Sequence, residues 1–304
     1  MKLLKISYVG LMILLCGNLF AQQQPQYTQY MYNTMSLNSA YTGSTESLEA
    51  YLLHRSQWVG IDGAPRTQTF GIHSPISKSV GLGFTAMHDE IGPSNETNLE
   101  ANFSYSLNLN TDTRLAFGVN AGINLLNIDW SEGKYNSADP LFNENVKGKM
   151  RPTFGTGVYV YNKKWYGGIS VLNLIQNNFY DDVKEDLLKR NLHYYLIGGY
   201  VFTLSDNLLF KPAVMAKFLE TAPVTVDVSA NFLISEKLTL GAAYRYDDAF
   251  SGLVGFQVNK SIFLGYAYDR TITDFQKYND GSHELILRFS LNRKDSNLKS
   301  PRFF

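Results

Sequence analysis

The chain has 304 residues, with 27 lysines and arginines, 27 aspartates and glutamates, and one cysteine, Cys16. This charge balance excludes the basic footprint of a nucleic-acid-binding protein, and a single cysteine excludes a disulfide framework or a thiolate metal cluster. Tyrosine and phenylalanine number 20 and 19, yet mean hydropathy is only -0.18. This combination is typical of a transmembrane β-barrel, whose outer face is apolar and whose inner face is not.

The first residues predict export. Lys2 and Lys5 precede an apolar stretch over residues 6–20 that stops at Ala21. This is the pattern of a secretory signal peptide, here residues 1–21, and it is too short and too cleanly terminated to be preferred as a transmembrane helix. Residues 22–47 follow; they are rich in Gln, Tyr, Asn and Met and lack clean alternation. We expect them to lie in the periplasm or in the lumen of a barrel.

From about Leu48 the sequence alternates, with an apolar or aromatic side chain at every second position. A period of two indicates β-strands, and segments of about ten such residues suit tilted strands that cross a bilayer. We therefore predict an all-β fold, an antiparallel transmembrane β-barrel of 14 strands over residues 48–292. The predicted strand centres are Leu52, Phe70, Phe84, Phe103, Val119, Val158, Ile169, Gly198, Ala213, Val228, Ala242, Gly255, Gly265 and Leu287.

The predicted connections alternate in length. Those after even-numbered strands are short turns, and those after odd-numbered strands are mostly longer, at residues 58–66, 89–97, 130–150, 173–191 and 270–281. Outer-membrane barrels have short periplasmic turns and longer extracellular loops, so we predict both termini in the periplasm. Residues 180–190 form either a short helix or a solvated loop. Residues 293–304 are a basic tail that is either disordered or docked at the periplasmic side.

Seven charged side chains fall on the inward face if the alternation continues through each strand. Buried charges of both signs in a narrow barrel are usually paired and structural, and the alternative is a selectivity constriction. Inward glycines and alanines suggest that larger side chains or the N-terminal segment fill the lumen. The seven residues are Glu100, Arg114, Asp227, Arg245, Asp269, Glu284 and Arg288.

Catalytic signatures are weak throughout. His283 and Glu284 lack a second histidine at the spacing of a zinc protease. The chain has neither a phosphate-binding glycine-rich loop with its Lys and Ser or Thr nor a Gly-x-Ser-x-Gly elbow. We therefore predict a protein that is not an enzyme, with no cofactor and no metal site.

Seven stretches of the chain have a recognisable sequence: residues 27–44 (YTQYMYNTMSLNSAYTGS), 54–75 (HRSQWVGIDGAPRTQTFGIHSP), 89–93 (DEIGP), 211–217 (KPAVMAK), 244–249 (YRYDDA), 265–269 (GYAYD) and 281–284 (GSHE). In this order, and over nearly the whole mature chain, they resemble the PorP/SprF family of type IX secretion system outer-membrane proteins of Bacteroidetes-type bacteria. The resemblance implies an accessory role in secretion or in surface attachment of proteins such as gliding adhesins. In a second branch of the family the role is instead a link between the membrane and periplasmic ring or peptidoglycan-binding components, and the sequence leaves both roles open. The alternative function is a passive transporter or porin for small or hydrophobic solutes.

One family block lies on the first predicted hairpin and its outward loop. One interpretation is that Arg55, Asp62 and Arg66 pair to fold the loop. The other is that Trp58 and the two arginines form part of a docking surface for a secreted partner, because Trp and Arg are favoured interface anchors. The candidate partner-binding residues of this block are Arg55, Gln57, Trp58, Asp62, Arg66 and Gln68.

Overall fold

The computed structural model describes residues 25–45, 47–132, 145–175, 192–219 and 222–291. The predicted signal peptide, the tail at residues 293–304 and the candidate helix at residues 180–190 lie outside these ranges. The strands are β1 (Leu48–Ser56), β2 (Arg66–Pro75), β3 (Val80–Ile91), β4 (Ser94–Asn108), β5 (Arg114–Ile128), β6 (Val146–Tyr161), β7 (Trp165–Leu172), β8 (His193–Tyr200), β9 (Phe202–Ser205), β10 (Leu208–Leu219), β11 (Ala222–Ile234), β12 (Leu238–Arg245), β13 (Ala249–Gln257), β14 (Ile262–Thr271) and β15 (Ser282–Leu291).

These segments form one closed antiparallel barrel of fourteen strands. β8 and β9 count as one barrel strand, because they are separated only by Val201 and both pair with β10. The sheet closes where β1 pairs with β15 along the whole length of both strands. Each predicted strand centre lies within one of the observed strands, so the predicted fold is confirmed. Within the described ranges, no helix is long and apolar enough to cross a membrane.

The alternation of side chains separates an apolar outer wall from a mostly polar inner one. In β5, Ala116 and Asn120 are buried on the inner face, whereas Phe117 and Val119 are 47% and 40% exposed on the outer face. The same pattern repeats around the barrel, with exposed leucines, valines and phenylalanines on the outside of most strands. An outward apolar band of this kind is the surface that a barrel presents to lipid.

At the end of the barrel where long loops were predicted, one connection is much shorter than predicted. Residues 89–97 are mostly strand, because β3 runs to Ile91 and β4 begins at Ser94. Only Gly92, at φ +54°, and Pro93 turn the chain there. Pairing continues through Asp89 with Glu96, so the hairpin is longer than the apolar alternation indicates. Polar residues that extend a strand beyond the apolar band carry no hydrophobic period.

Residues 25–45, which we call the plug, pass through the barrel lumen. They form three short 3₁₀ turns and are almost entirely buried. Thr28 contacts Asp269 near the long-loop end of β14, whereas Gly43 lies against Pro75 and Gly81 at the short-turn end, where β1 begins. The described chain therefore starts at the long-loop end and finishes at the short-turn end with β15. The strands themselves begin with β1 and end with β15 at the short-turn end, and the segment before β1 runs the length of the lumen.

Candidate functional site

A buried charge cluster holds the start of the plug to the barrel wall. We call Thr28, Gln29, Arg55, Asp269 and Glu284 the latch. The Arg55 guanidinium donates to Asp269 Oδ2 at 2.6 Å and to Glu284 Oε2 at 3.0 Å. It also donates to the Thr28 hydroxyl at 3.1 Å. Register pairing of Arg55 with Glu284 on β1 and β15 places the cation and one carboxylate side by side.

The plug backbone completes this arrangement. The Thr28 and Gln29 amides donate to the two oxygens of Glu284 at 2.9 and 2.8 Å. The Thr28 hydroxyl donates to Asp269, with its oxygen 2.6 and 2.7 Å from the two carboxylate oxygens. Arg55, Asp269 and Glu284 are 1%, 3% and 0% exposed. Because their charges are satisfied by one another and by the plug, wall and plug depend on each other for electrostatic compensation.

The predicted inward charges all lie on the inner face of their strands. Asp227 Oδ1 accepts from Arg245 Nε at 2.9 Å across the β11–β12 pair. Glu100 Oε2 accepts from Asn120 Nδ2 at 3.0 Å. These contacts, together with the latch, favour the structural interpretation of the charges over a selectivity constriction.

Two arginines of the predicted set lie nearer the short-turn end. Arg288 is buried, and its guanidinium lies 5.5 Å from the Tyr32 ring centre and 5.2 Å from that of Phe263. A guanidinium at this distance from aromatic faces is attracted to the ring quadrupole. Arg114 is half-buried at the first position of β5. Arg288 thus joins the middle of the plug to the wall, while Arg114 stands at the barrel edge.

Further hydrogen bonds fix the rest of the plug. Asn38 Nδ2 donates to the backbone oxygens of Val158 and Ile169 at 3.1 and 3.3 Å. The hydroxyls of Ser104 and Ser170 donate to the backbone oxygens of Thr42 and Leu37. The plug is therefore bound to strands on several sides of the barrel, from β2 at Thr69 to β15 at Glu284.

Inward glycines provide the space that the plug occupies. A Cβ on Gly118 would lie 2.1 Å from the backbone nitrogen of Ala40, and one on Gly81 would lie 2.3 Å from the backbone oxygen of Thr42. These neighbours are backbone atoms, so they cannot rotate away as a side chain could. The small inward residues seen in the sequence are thus explained by close approach of the plug to the wall.

Arg55 is the one member of the hairpin block that the structure removes from the outer surface. The docking interpretation made it part of the partner-binding surface, and the other interpretation paired it with Asp62 and Arg66. Instead it shares the inner face of β1 with Tyr51 and Leu53, and its anionic partners are Asp269 and Glu284. The alternation of β1, continued from Tyr51 and Leu53, predicts an inward side chain at Arg55.

The remaining residues of the block lie at the long-loop end. The Trp58 ring packs edge-on against Phe275, with ring centres 5.1 Å apart. Val59 exchanges backbone hydrogen bonds with Gly281 and Asp280 at 2.9 and 2.8 Å. These contacts fix the β1–β2 loop against the β14–β15 loop, so that both form one surface.

This surface exposes aromatic and apolar side chains. We call Trp58, Val59, Phe275 and Tyr278 the rim patch. Tyr278 is 70% exposed, and Val59 and Phe275 are each 37% exposed. Asp62, Arg66 and Gln68 are exposed, whereas Gln57 and Trp58 are half-buried; Gln68 points outward from β2, below the loop.

Several buried inward residues were not singled out from the sequence. They are Glu49, His73, Lys211 and Lys217. The alternation of each strand predicts them on the inner face, because each lies two residues from a buried neighbour on the same strand. Thr28 and Gln29 had no such signal, since their latch contacts use mainly backbone amides and a hydroxyl. Across the described ranges, no group of three or more His, Cys, Asp or Glu side chains could hold a metal ion.

Together these features define an outer-membrane type of β-barrel whose lumen is filled by its own N-terminal segment. The fold is similar to that of the CymD monoaromatic hydrocarbon channel, with a TM-score of 0.54 and 12% identity over 86% of this chain and 94% of that one. The family model for the type IX secretion system membrane protein PorP/SprF matches residues 19–289, and the chain belongs to this family. The resemblance read from the sequence is thus confirmed.

Other solved barrels are more distantly similar. Acinetobacter baumannii Omp33 gives a TM-score of 0.48 at 10% identity, covering 81% of this chain and 99% of that one. A Pseudomonas aeruginosa FadL homologue gives 0.47 at 13% identity, covering 89% and 94%. At such identities the likeness concerns the fold alone. A comparison with curated proteins gave no match.

Proposed function

We propose that this protein is a plugged outer-membrane component of the type IX secretion system that supports secretion or surface attachment of partner proteins such as gliding adhesins. The observation that carries the proposal is the filled lumen in a member of this family. A barrel occupied by hydrogen-bonded chain from the latch to Gly43 offers its ends, rather than its interior, to other molecules. The alternative of a passive solute transporter requires that the plug leave or move.

The rim patch together with Arg66 is the proposed docking surface for the secreted partner. Aromatic side chains and arginine are favoured anchors of interfaces, and here Tyr278 and Arg66 are both exposed at the same end of the barrel. The loops that carry them are braced against each other and against the β3–β4 turn, where Gly92 N donates to Gly63 O at 2.9 Å. A braced surface loses little conformational entropy when it binds. The short-turn end is left for periplasmic ring or peptidoglycan-binding components.

Removing the exposed anchors tests this surface. The double variant Arg66→Ala, Tyr278→Ala is expected to lower partner display by roughly 30-fold, as for loss of ~2 kcal/mol of binding. Trp58 is a poorer choice because its ring packs on Phe275. Ile76→Ala is the control, since Ile76 is 62% exposed in a short turn at the other end. The measurement is quantitative mass spectrometry of proteins shaved from intact cells.

Barrel integrity is followed in the same cells by heat-dependent migration on gels. Full display by the double variant, or loss of the folded barrel together with display, would contradict docking at the rim.

Orientation is the second element of the proposal: the long loops face the cell exterior, and the end of β15 faces the periplasm. Cys16 lies in the predicted signal peptide, so the mature chain has no competing thiol. Asp62→Cys in the first long loop and Gln26→Cys at the start of the plug are expected to react with a membrane-impermeant maleimide on intact cells. Lys78→Cys in a short turn is expected to react only after the outer membrane is opened. The reverse labelling pattern would show that the barrel has the opposite orientation in the membrane.

A further inference from the structure

A groove of about 580 Å³ crosses the outer wall of the barrel from β14 to β4. Its floor is apolar and lies on the face that a membrane barrel presents to lipid. Register places Leu287, Leu52, Phe70 and Ala86 side by side on four successive strands. Ala86 is the smallest side chain in this row, so the wall is recessed there between bulkier neighbours.

The long-loop end of the groove is polar. Register aligns His54, Gln68, His88 and Thr97 across β1 to β4, one outward position above the floor. The residues that flank this row on β15 and β5 are leucines. The polar set is therefore confined to the groove and does not continue around the barrel as a belt.

Intramolecular contacts fix two of these side chains. His88 Nδ1 lies 2.9 Å from Thr97 Oγ1, and His88 Nε2 lies 3.3 Å from Glu90 Oε1. His54 Nε2 lies 3.1 Å from Ser56 Oγ. Side chains held in this way are preorganised at the polar end of the groove, so they lose less conformational entropy on binding than mobile surface groups do.

We propose that this groove binds one acylated lipid, with a chain on the Leu52, Phe70 and Ala86 floor and a phosphate-bearing headgroup at His54 and Gln68. An apolar recess that faces hydrocarbon is filled by acyl chains, and its volume is that of a site for one small molecule. The free ring nitrogen of His54 and the Gln68 carboxamide can donate N–H groups to phosphate oxygens, whereas both ring nitrogens of His88 already contact Thr97 and Glu90. Arg66 lies two residues before Gln68 on the same outward face of β2. Glu90, paired with Arg66 by register, adds one carboxylate beside the headgroup position. The site lies on the lipid-facing wall, its apolar floor is separate from the rim patch, and it shares Arg66 with the proposed docking surface.

Filling the recess is the direct test. Purified full-length protein in detergent is titrated with palmitoyl-oleoyl phosphatidylglycerol, and bound lipid is counted by native mass spectrometry. Ala86→Trp is expected to weaken binding at least about tenfold. Ala242→Trp is the matched control, because Ala242 is exposed on the outer face of β12, outside the groove. Equal binding by wild type and Ala86→Trp would overturn the proposal.

The headgroup contact has its own test. Wild type is expected to prefer phosphatidylglycerol to the diacylglycerol with the same chains, and His54→Leu, Gln68→Leu is expected to lose that preference while still binding both. Equal binding of the two lipids by wild type would overturn the headgroup assignment. Cross-linking of Ala86→Cys to a protein in the membrane, instead of protection by lipid, would assign the groove to a protein partner and refute the lipid.

Discussion

Replacing Arg55 by methionine is expected to destabilise the barrel by about 3–5 kcal/mol, because it leaves buried carboxylates without their cation. As hydrogen-bond partners Asp269 and Glu284 would then retain the plug's hydroxyl and amides, and Asp269 would keep its electrostatic attraction to Arg245. Neither carboxylate can reach water easily at 3% and 0% exposure. The measurement is denaturant unfolding of the purified barrel in detergent, followed by gel migration and tryptophan fluorescence.

Arg66→Met is the matched control. Arg66 is exposed at the first position of β2, so its replacement is expected to change the free energy of unfolding by less than about 0.5 kcal/mol. Adding Glu284→Gln to Arg55→Met should restore part of the loss, since one unpaired charge disappears and the two sites are in contact. A stability of Arg55→Met equal to that of wild type would show that the latch does not hold the plug.

Deleting residues 26–45 is expected to convert a non-conducting barrel into a pore that conducts ions. The plug contributes several large side chains to the lumen, among them Tyr27, Tyr30, Met31 and Met35, each at most 4% exposed. A barrel of fourteen strands without them encloses a space that water can enter. The measurement is conductance in planar bilayers, with the wild-type protein in the same preparation.

A point variant tests the same closure if the deleted chain does not fold. Gly118→Leu places a side chain where the Ala40 backbone now lies, so it should displace the plug and raise conductance. Gly252→Leu is its control, because a Cβ there meets nothing within 4 Å. Wild-type conductance as high as that of the variants would support the solute-transporter alternative.

The strands were predictable because their signal is strictly local. A side chain on a membrane barrel meets either lipid or the lumen, so period two survives in nearly every strand, and Asp227, Arg245 and Asp269 were placed inward by parity alone. The prediction failed where that signal ends. Residues 89–97 pair as polar strand beyond the apolar band, and Arg55, interpreted as a docking residue or a partner of Asp62, follows the alternation of β1 into the lumen.

The position of the plug in the lumen was one of two alternatives that the sequence left open, the other being the periplasm. Its sequence has no period, and its position depends on backbone amides that meet Glu284 and on hydroxyls of the wall that meet its carbonyls. Nearly every residue type supplies such backbone groups, so these contacts cannot be predicted from the amino-acid composition of the segment. Inward glycines pointed to a filled lumen, but the direction of the chain through it required the three-dimensional contacts of Thr28 and Gly43.

Affinity purification from gently solubilised outer membranes, with mass spectrometry of what accompanies the tagged protein, tests the central claim most directly. Wild type is expected to recover a secreted surface protein, together with periplasmic ring or peptidoglycan-binding components. The Arg66→Ala, Tyr278→Ala variant should lose the surface protein and keep the periplasmic components. Recovery of neither class with wild type, from an intact and folded barrel, would contradict the proposed role in secretion and leave a solute channel in its place.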